Sequence, residues 1–261
     1  MGKSIVITSG KGGVGKSTTA ASIAAGLAGA GHKTVLLDMD IGLRSLDLLL
    51  GVENNLIYDV SDAANGTCSI DQALFRIEKL NSLYLLSASQ TTDASSLSPY
   101  EAEALIHELK KKFEYVLIDC PAGIGRGFRN ACHAADSAVL VVTPDCVSLR
   151  SAERVLHLLK ADGIRDISLV LNRVQRRNGV SVDECISRLD IPLLGFIPED
   201  ARVTKAAARG IPVLDTESDA GDAFERITRR ILGETVRFKI PFESFAHKIK
   251  SRFGKEYACK D

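Results

Sequence analysis

Short apolar runs rich in β-branched residues recur along the chain, and amphipathic stretches separate most of them. The runs cover residues 5–8, 34–37, 83–86, 115–118, 138–142, 169–171 and 193–197. Helical periodicity marks the stretches 101–113, 149–159 and 182–189. Strands that alternate with helices of this length predict an α/β fold, a doubly wound and mostly parallel sheet with helices on both faces. In such a sheet, ligands bind beyond the carboxyl ends of the strands.

A glycine-rich segment follows the first apolar run. Residues 10–17 read Gly-Lys-Gly-Gly-Val-Gly-Lys-Ser, and an alanine-rich stretch, 18–30, continues from them. This strand, loop and helix context matches the G-x-x-x-x-G-K-[ST] phosphate-binding pattern. Glycines allow backbone N–H groups to approach phosphate oxygens, and the helix N-terminus adds its own N–H groups and dipole. Lys16 can then reach the β- and γ-phosphates, and the Ser17 hydroxyl can bind Mg²⁺. Lys11 is a second lysine that the pattern does not require.

Two other interpretations of this segment are open. Gly10, Gly12 and Gly15 also satisfy G-x-G-x-x-G, and Asp38 lies 23 residues beyond Gly15, where a dinucleotide-binding fold has the acid that binds the ribose. The lysine and serine that end the loop argue against this site, which needs neither side chain. The other interpretation is a chance glycine-rich turn, which would leave the matching strand and helix on either side unexplained.

Acidic residues follow two of the predicted strands. Asp38 and Asp40 come after the second apolar run, and Asp119 comes after the fourth, with Gly123 four residues further on. Carboxylates close to a phosphate loop can bind Mg²⁺ and position an attacking water. A glycine after such an acid is typical of a loop that senses the γ-phosphate. Single acids are common at strand ends because loops are polar. Here the phosphate loop after the first run and the acids after the second and fourth runs all suit one chemistry, which favours a Mg²⁺-dependent nucleoside triphosphatase.

The composition narrows the class of protein. Of 261 residues, 45% are hydrophobic but only 5% aromatic, so aliphatic residues must form the core, as suits buried parallel strands. The net charge is zero, which gives no overall attraction to nucleic acid. Six cysteines include no C-x-x-C pair, which indicates thiols of a reducing compartment. The chain begins with a strand and contains no run of membrane-spanning length, so a cytoplasmic location is expected.

A resemblance to a known family accounts for the presence of Lys11. Residues 11–18 read Lys-Gly-Gly-Val-Gly-Lys-Ser-Thr, which resembles the signature loop of the deviant Walker A ATPases, the ParA/MinD family. Segments 38–47, 88–91, 119–124 and 197–200 resemble the members of that family that determine the division septum. The resemblance covers nearly the whole chain. The sequence departs from it at Ser45 and Ser151, where asparagine and aspartate are more common.

The resemblance implies a role for each residue of a nucleotide site. The residues that would bind ATP or ADP are Gly10, Lys11, Gly12, Gly13, Val14, Gly15, Lys16, Ser17, Thr18, Asn172, Pro198, Glu199 and Asp200. Among them, Asn172 would recognise the adenine, although an asparagine that ends a strand is by itself more often a turn residue. Ser17 would ligate Mg²⁺, and Asp38 and Asp119 would hold its waters.

The same resemblance implies three catalytic residues, Lys11, Lys16 and Asp40. Asp40 would position or activate the attacking water, and the lysines would neutralise phosphate charge. In the family, the lysine that corresponds to Lys11 reaches across an ATP-sandwiched homodimer to the partner's phosphates. It therefore resembles an arginine finger supplied in trans.

The C-terminal segment 237–261 differs in charge from the predicted ATPase domain, residues 1–236. It carries seven Lys or Arg against three Asp or Glu. In a helical conformation its large apolar residues cover an arc of about 100° that cations border. The apolar residues include Phe242, Phe245, Ile249 and Phe253, and the cations include Lys248, Lys250 and Arg252. This pattern predicts a helix that binds an anionic membrane surface; the alternative is a last helix packed on the core.

These features predict an ATPase switch in division-septum placement. ATP would form the homodimer, whose two tails bind the inner face of the cell membrane far better than one, and hydrolysis would release it. The resemblance implies Min-system partners, an inhibitor like MinC and an activator like MinE. A ParA-like partitioning ATPase that binds DNA stays open, but the residues before the tail are net acidic. An iron–sulfur carrier of the same fold would need a cysteine pair at ligand spacing, which the sequence lacks.

Overall fold

The computed structural model describes most of the chain up to the start of the tail. The described residues are 1–40, 45–53, 55–80, 82–89 and 97–239. The predicted membrane-binding residues, Phe242, Phe245, Ile249, Phe253, Lys248, Lys250 and Arg252, lie outside them, as do 41–44 and 90–91 of the family-like segments. Of the helices that are described, none is both long and apolar enough to cross a lipid bilayer.

The described strands form one eight-stranded sheet. In chain order they are β1 (Lys3–Thr8), β2 (Thr34–Asp38), β3 (Phe75–Arg76), β4 (Leu83–Leu86), β5 (Tyr115–Asp119), β6 (Ser137–Val142), β7 (Asp166–Val174) and β8 (Leu193–Pro198). Their order across the sheet is β3-β4-β2-β5-β1-β6-β7-β8, and every pair is parallel except β3 with β4. The mostly parallel, doubly wound sheet is therefore confirmed, and each predicted apolar run lies in a strand. The sequence did not predict β3, because two residues are too few for a periodic pattern.

Helices connect most of the strands. The described α-helices are α1 (Lys16–Gly29), α2 (Leu46–Leu50), α3 (Val60–Ala64), α4 (Ile70–Ala73), α5 (Pro99–Lys112), α6 (Arg126–His133), α7 (Cys146–Ala161), α8 (Val182–Leu189), α9 (Ala201–Ala207) and α10 (Asp219–Ile231), with a 3₁₀ turn at Val213–Asp215. The three predicted helical stretches correspond to α5, α7 and α8. Helix α5 ends one residue before the predicted stretch 101–113 does, since Phe113 is its C-cap.

Every strand of the sheet except β3 contributes to two apolar cores, one on each face. On β1, Val6 joins the core that contains residues of α5, α6, α7 and α8. Ile5 and Ile7, its neighbours, join the core that contains residues of α1, α2 and α10. Because successive side chains of a strand point to opposite faces, a strand buried on both faces is apolar at most positions. This burial explains the continuous runs in the sequence.

Small residues allow α1 to pack closely against α10. A Cβ at Gly26 would lie 2.4 Å from Thr228 Oγ1, so a larger residue would force the two helices apart. Ala20 and Ala24 of α1 are also fully buried. This packing fixes the direction of α1 and, with it, the position of the loop from which the helix begins.

The parallel strands bring three loops together at one edge of the sheet. β1 lies between β5 and β6, and β2 lies on the far side of β5. In this register Asp119 is next to Ile7 of β1 and next to Asp38 of β2. The loops that follow β1, β2 and β5 therefore start side by side.

Residues 236–239, which span the predicted boundary with the tail, lie against α10 and β8. The guanidinium of Arg230 donates hydrogen bonds to the carbonyl oxygens of Val236, Arg237 and Leu194 at 3.0–3.2 Å. It also stacks over the ring of Phe238, 4.0 Å from the ring centroid. Burial lowers the pKa of Arg230 to about 10. The predicted boundary between residues 236 and 237 stays a prediction.

Candidate active site

The glycine-rich segment forms a loop that ends in α1. Gly13 and Gly15 have left-handed backbones, with φ of +75° and +90°, and Gly15 is the N-cap of α1. No side chain caps this helix, so its first N–H groups and its dipole can face an anion. The loop therefore has the backbone that a phosphate site requires.

Lys16, the first residue of α1, lies among acidic side chains. Its Nζ is 2.7 Å from Asp119 Oδ1 and 3.9 Å from Asp40 Oδ2, and it donates to Ser17 Oγ at 3.3 Å. The side chain of Lys16 is only 6% exposed and that of Asp40 is 15% exposed. The fold thus brings these four predicted residues together.

Asp38 completes the acidic cluster beside Asp119. Both carboxyls are fully buried, and the Oδ2 atom of each lacks a hydrogen-bond partner among the described residues. Burial, reinforced by Asp119, raises the pKa of Asp38 to about 8. Burial also raises the pKa of Asp119 and of Asp40, although Lys16 opposes both shifts. The described cluster therefore has three carboxyl groups for the single ammonium of Lys16.

These residues fit a magnesium ion that is bound largely through water and phosphate. The unpartnered oxygens of Asp38 and Asp119 can accept hydrogen bonds from metal-bound waters, and the Ser17 hydroxyl is a suitable direct ligand. Within the described ranges, no three His, Cys, Asp or Glu side chains come close enough to hold a metal by themselves. A Mg²⁺ ion here would need the oxygens of a nucleotide as well.

Lys11 is turned away from this cluster. Its Nζ lies 3.3 Å from Asp145 Oδ1, and Asp145 caps α7 through the backbone N–H of Ser148. Burial by itself would raise the pKa of Asp145. Hydrogen bonds from Thr143 and Ser148 outweigh it and lower that pKa, and Lys11 lowers it further. The sequence did not indicate this partner. The one signal in the sequence is that Asp145 lies shortly before the predicted helical stretch 149–159, where an N-cap aspartate is common.

The four residues predicted to form the base pocket also lie together. Asn172, Pro198, Glu199 and Asp200 line one small cavity of about 40 Å³ together with loop residues such as Gly15. A larger cleft of about 370 Å³ opens beside Lys11, and its lining includes Asp145, Arg173, Arg177 and Glu199. The arginines of this cleft were not predicted, because a polar strand-end loop gives no pattern that distinguishes a site from solvated surface.

Of the two residues that depart from the family pattern, Ser151 lies beside the phosphate loop. Ser45 is the N-cap of α2. Ser151 supports the phosphate loop from α7, since a Cβ at Gly10 would lie 2.4 Å from the Ser151 carbonyl carbon. Neither substitution alters the cluster around Lys16.

The matched family agrees with this geometry. Residues 5–213 match a family model described as the CobQ/CobB/MinD/ParA nucleotide binding domain. This span contains the phosphate loop, the three acids and the base pocket. The chain belongs to this family. Its relatives place it with the MinD proteins of the family, which confirms the resemblance found in the sequence.

Three of these relatives illustrate the similarity to MinD. The chain is 43% identical over 265 residues to the septum site-determining protein MinD of Bacillus subtilis (strain 168), which covers 97% of this chain and 99% of that protein. A chain of the MinC:MinD cell division protein complex of Aquifex aeolicus has a TM-score of 0.83 at 37% identity, covering 92% of this chain and 98% of that one. The septum site-determining protein MinD of Pyrococcus horikoshii OT3, complexed with Mg-ADP, has a TM-score of 0.81 at 29% identity, covering 88% and 96%.

The buried carboxyl of Asp38 leads to a pH-dependent prediction. Its pKa of about 8 in the folded protein exceeds the ordinary value of 3.8, so the folded state retains a proton that the unfolded state loses. The free energy of unfolding therefore falls as the pH rises from about 4 towards 8. We expect Asp38→Asn to raise that free energy by about 1–3 kcal/mol at pH 7.5, measured by urea unfolding without nucleotide.

The control for this substitution is Glu225→Gln, which neutralises an exposed acid on α10. It should change the free energy of unfolding by less than about 0.5 kcal/mol. Most of the gain from Asp38→Asn should disappear at about pH 3, below the ordinary pKa of 3.8, where the carboxyl is protonated in most molecules of both states. A gain of the same size at both pH values would contradict the buried charge as its cause.

Proposed function

We propose that this chain is a Mg²⁺-dependent ATPase that acts as a dimerising switch in division-site placement. The enzymatic part rests on one observation, the buried ammonium of Lys16 between Asp119 and Asp40 at the start of α1. A cation and carboxylates at a phosphate loop are the groups that phosphoryl transfer requires. The division-site part is supported by the septum site-determining relatives.

Lys16 and Ser17 act on the triphosphate. Lys16 exchanges the Asp119 carboxylate, 2.7 Å away in the described structure, for β- and γ-phosphate oxygens. The Ser17 hydroxyl would hold Mg²⁺, and the carboxylates of Asp38 and Asp119 would accept hydrogen bonds from its waters. The ion would supply positive charge beside those phosphate oxygens. Asn172, Pro198, Glu199 and Asp200 hold the base.

Asp40 orients the attacking water. Its backbone N–H donates to Asp38 Oδ1 at 3.0 Å, which holds the start of the loop after β2 against the metal-binding acids. Its carboxylate remains partly exposed beside Lys16, so it can accept a proton from water at the γ-phosphate. Orientation of this kind contributes to the rate without a covalent intermediate.

Lys11 acts on the partner subunit's nucleotide. In the described chain it forms an ion pair with Asp145 at the edge of the 370 Å³ cleft and does not point at the Lys16 cluster. A triphosphate offers a stronger counter-charge than one partly exposed carboxylate. A second copy of the chain that presents its nucleotide to this cleft would therefore draw Lys11 away from Asp145, and the dimer would require ATP.

The tail converts the dimer into a membrane-bound form. If residues 242–253 form the predicted helix, it carries apolar and basic side chains and is too short to be stable alone. An anionic bilayer supplies the missing stabilisation, and two linked tails bind far better than one. Because a related chain occurs in a MinC:MinD complex, we infer a MinC-like inhibitor as a partner, together with a MinE-like activator of hydrolysis.

Asp145→Asn tests the role of the ion pair with Lys11. Asparagine still caps α7 but no longer attracts Lys11 by charge. Because each exposed pair of this kind stabilises by about 1 kcal/mol or less and a dimer breaks two of them, we expect ATP-dependent dimers to form at up to about thirtyfold lower protein concentration. Sedimentation velocity with a slowly hydrolysed ATP analogue measures this change.

The matched control is Asp166→Asn, which removes a similar exposed ion pair with Lys3 at a distant edge of the sheet. It should leave dimerisation unchanged. Weaker dimerisation in Asp145→Asn would mean that Asp145 supports the dimer, and it would refute the exchange of partners by Lys11.

Co-sedimentation with anionic vesicles tests the tail. The full chain should pellet with MgATP and stay in the supernatant with MgADP, and Phe253→Glu should abolish pelleting because it puts a charge on the apolar arc. Ile57→Glu, which changes an apolar side chain that is 87% exposed elsewhere on the surface, is the control and should pellet normally. Unchanged pelleting of Phe253→Glu would contradict the membrane-binding tail.

A further inference from the structure

Asn172 is bonded in a way that base recognition does not explain. Its side chain, at the end of the sheet where β7 is irregular, is 7% exposed. Its Nδ2 donates to the Val14 carbonyl at 2.7 Å, and its Oδ1 accepts from the Arg173 N–H at 2.9 Å. Both ends of the amide are therefore already bonded to the backbone. One of these bonds reaches into the phosphate loop, 158 residues away in sequence.

The bonded carbonyl belongs to the peptide that joins Val14 to Gly15. In a trans peptide the C=O and the following N–H point in opposite directions. A carbonyl that is held towards β7 therefore directs the Gly15 N–H to the other side, into the loop where phosphate oxygens bind. Asn172 is the donor that holds this carbonyl.

The contact between the two residues is close. A Cβ at Gly15 would lie 2.2 Å from Asn172 Nδ2. On its other side, the Gly15 carbonyl accepts from the backbone N–H and the hydroxyl of Thr19 at 2.9 and 2.8 Å. The backbone immediately before Lys16 is thus held from β7 and from α1 at once. Without the amide, the Val14 carbonyl would lose its donor and the peptide could turn over, which would aim an oxygen at the phosphates.

We propose that Asn172 is a positioning residue of the phosphate loop, which acts on the triphosphate through Val14 whatever base is attached. This inference rests on the proposed nucleotide-binding function and adds a second role for this side chain. It requires that loss of the amide weakens the binding of a triphosphate with no base at all. An amide that served only to recognise adenine would have no such effect.

Equilibrium dialysis of magnesium tripolyphosphate and MgATP against the full chain tests this role. We expect Asn172→Ala to weaken the binding of both compounds by a similar factor of about tenfold, because a carbonyl is left unpaired in the loop. Asn172→Asp, which keeps the shape of the side chain but replaces the donor with an acceptor, should weaken both at least as much. The substitutions should raise KM for ATP more than they lower kcat.

Asn130→Ala is the matched control. Asn130 is also buried and donates its amide to a carbonyl, that of Leu97 at 2.6 Å. Asn130→Ala should lower the free energy of unfolding about as much as Asn172→Ala does. It should leave the affinities for tripolyphosphate and for MgATP unchanged. Weaker binding of ATP with unchanged binding of tripolyphosphate in the Asn172 variants would overturn the proposal in favour of base recognition alone. Failure of the unsubstituted chain to bind either compound would overturn the proposed function itself.

Discussion

The proposed chemistry depends on the buried ion pair between Lys16 and Asp119. The ammonium and the carboxylate lie 2.7 Å apart, and both are almost fully excluded from water. Removal of one partner of such a pair leaves a buried charge uncompensated, at a cost of about 3–5 kcal/mol. With Asp38 and Asp40 beside it, the site holds one cation and three acids, so burial raises the pKa of each acid. A bound Mg²⁺ and triphosphate would let every acid ionise beside a cation, and the same imbalance explains why the site should bind the metal and the nucleotide together.

The rest of the fold holds this cluster in position. The parallel register sets Asp38 beside Asp119, and close packing on α10 fixes the position of α1. Asn172 holds the phosphate loop that precedes α1 through the Val14 carbonyl. The two ends of β8 belong to different parts of the proposed switch. Its carboxyl end leads into the base pocket, whereas the Leu194 carbonyl near its start accepts from the Arg230 guanidinium, which also holds residues 236 and 237. Residues 236 and 237 are therefore held in a fixed place against α10 and β8.

The sequence predicted the sheet well because most of its strands are buried on both faces and contain a continuous apolar run. It also predicted the cluster around Lys16, since the loop pattern and the acids at strand ends are local features whose meeting point follows from parallel topology. The partner of Lys11 and the bond from Asn172 to Val14 could not be predicted. Both join residues more than a hundred positions apart, and neither an N-cap aspartate nor a strand-end asparagine indicates which loop it will contact. The sequence did not predict β3 for a different reason, since a strand of two residues is too short to show a periodic hydrophobic pattern.

The central claim is that each active site combines Asp40 of one subunit with Lys11 of the other. The most direct measurement is the ATPase rate of Lys11→Ala and Asp40→Ala, each alone and mixed in equal amounts. If the lysine acts across the dimer, each variant alone is inactive, but a mixed dimer contains one site with both residues. Random pairing then restores about a quarter of the unsubstituted rate. A mixture that stays as inactive as its components would contradict the shared site.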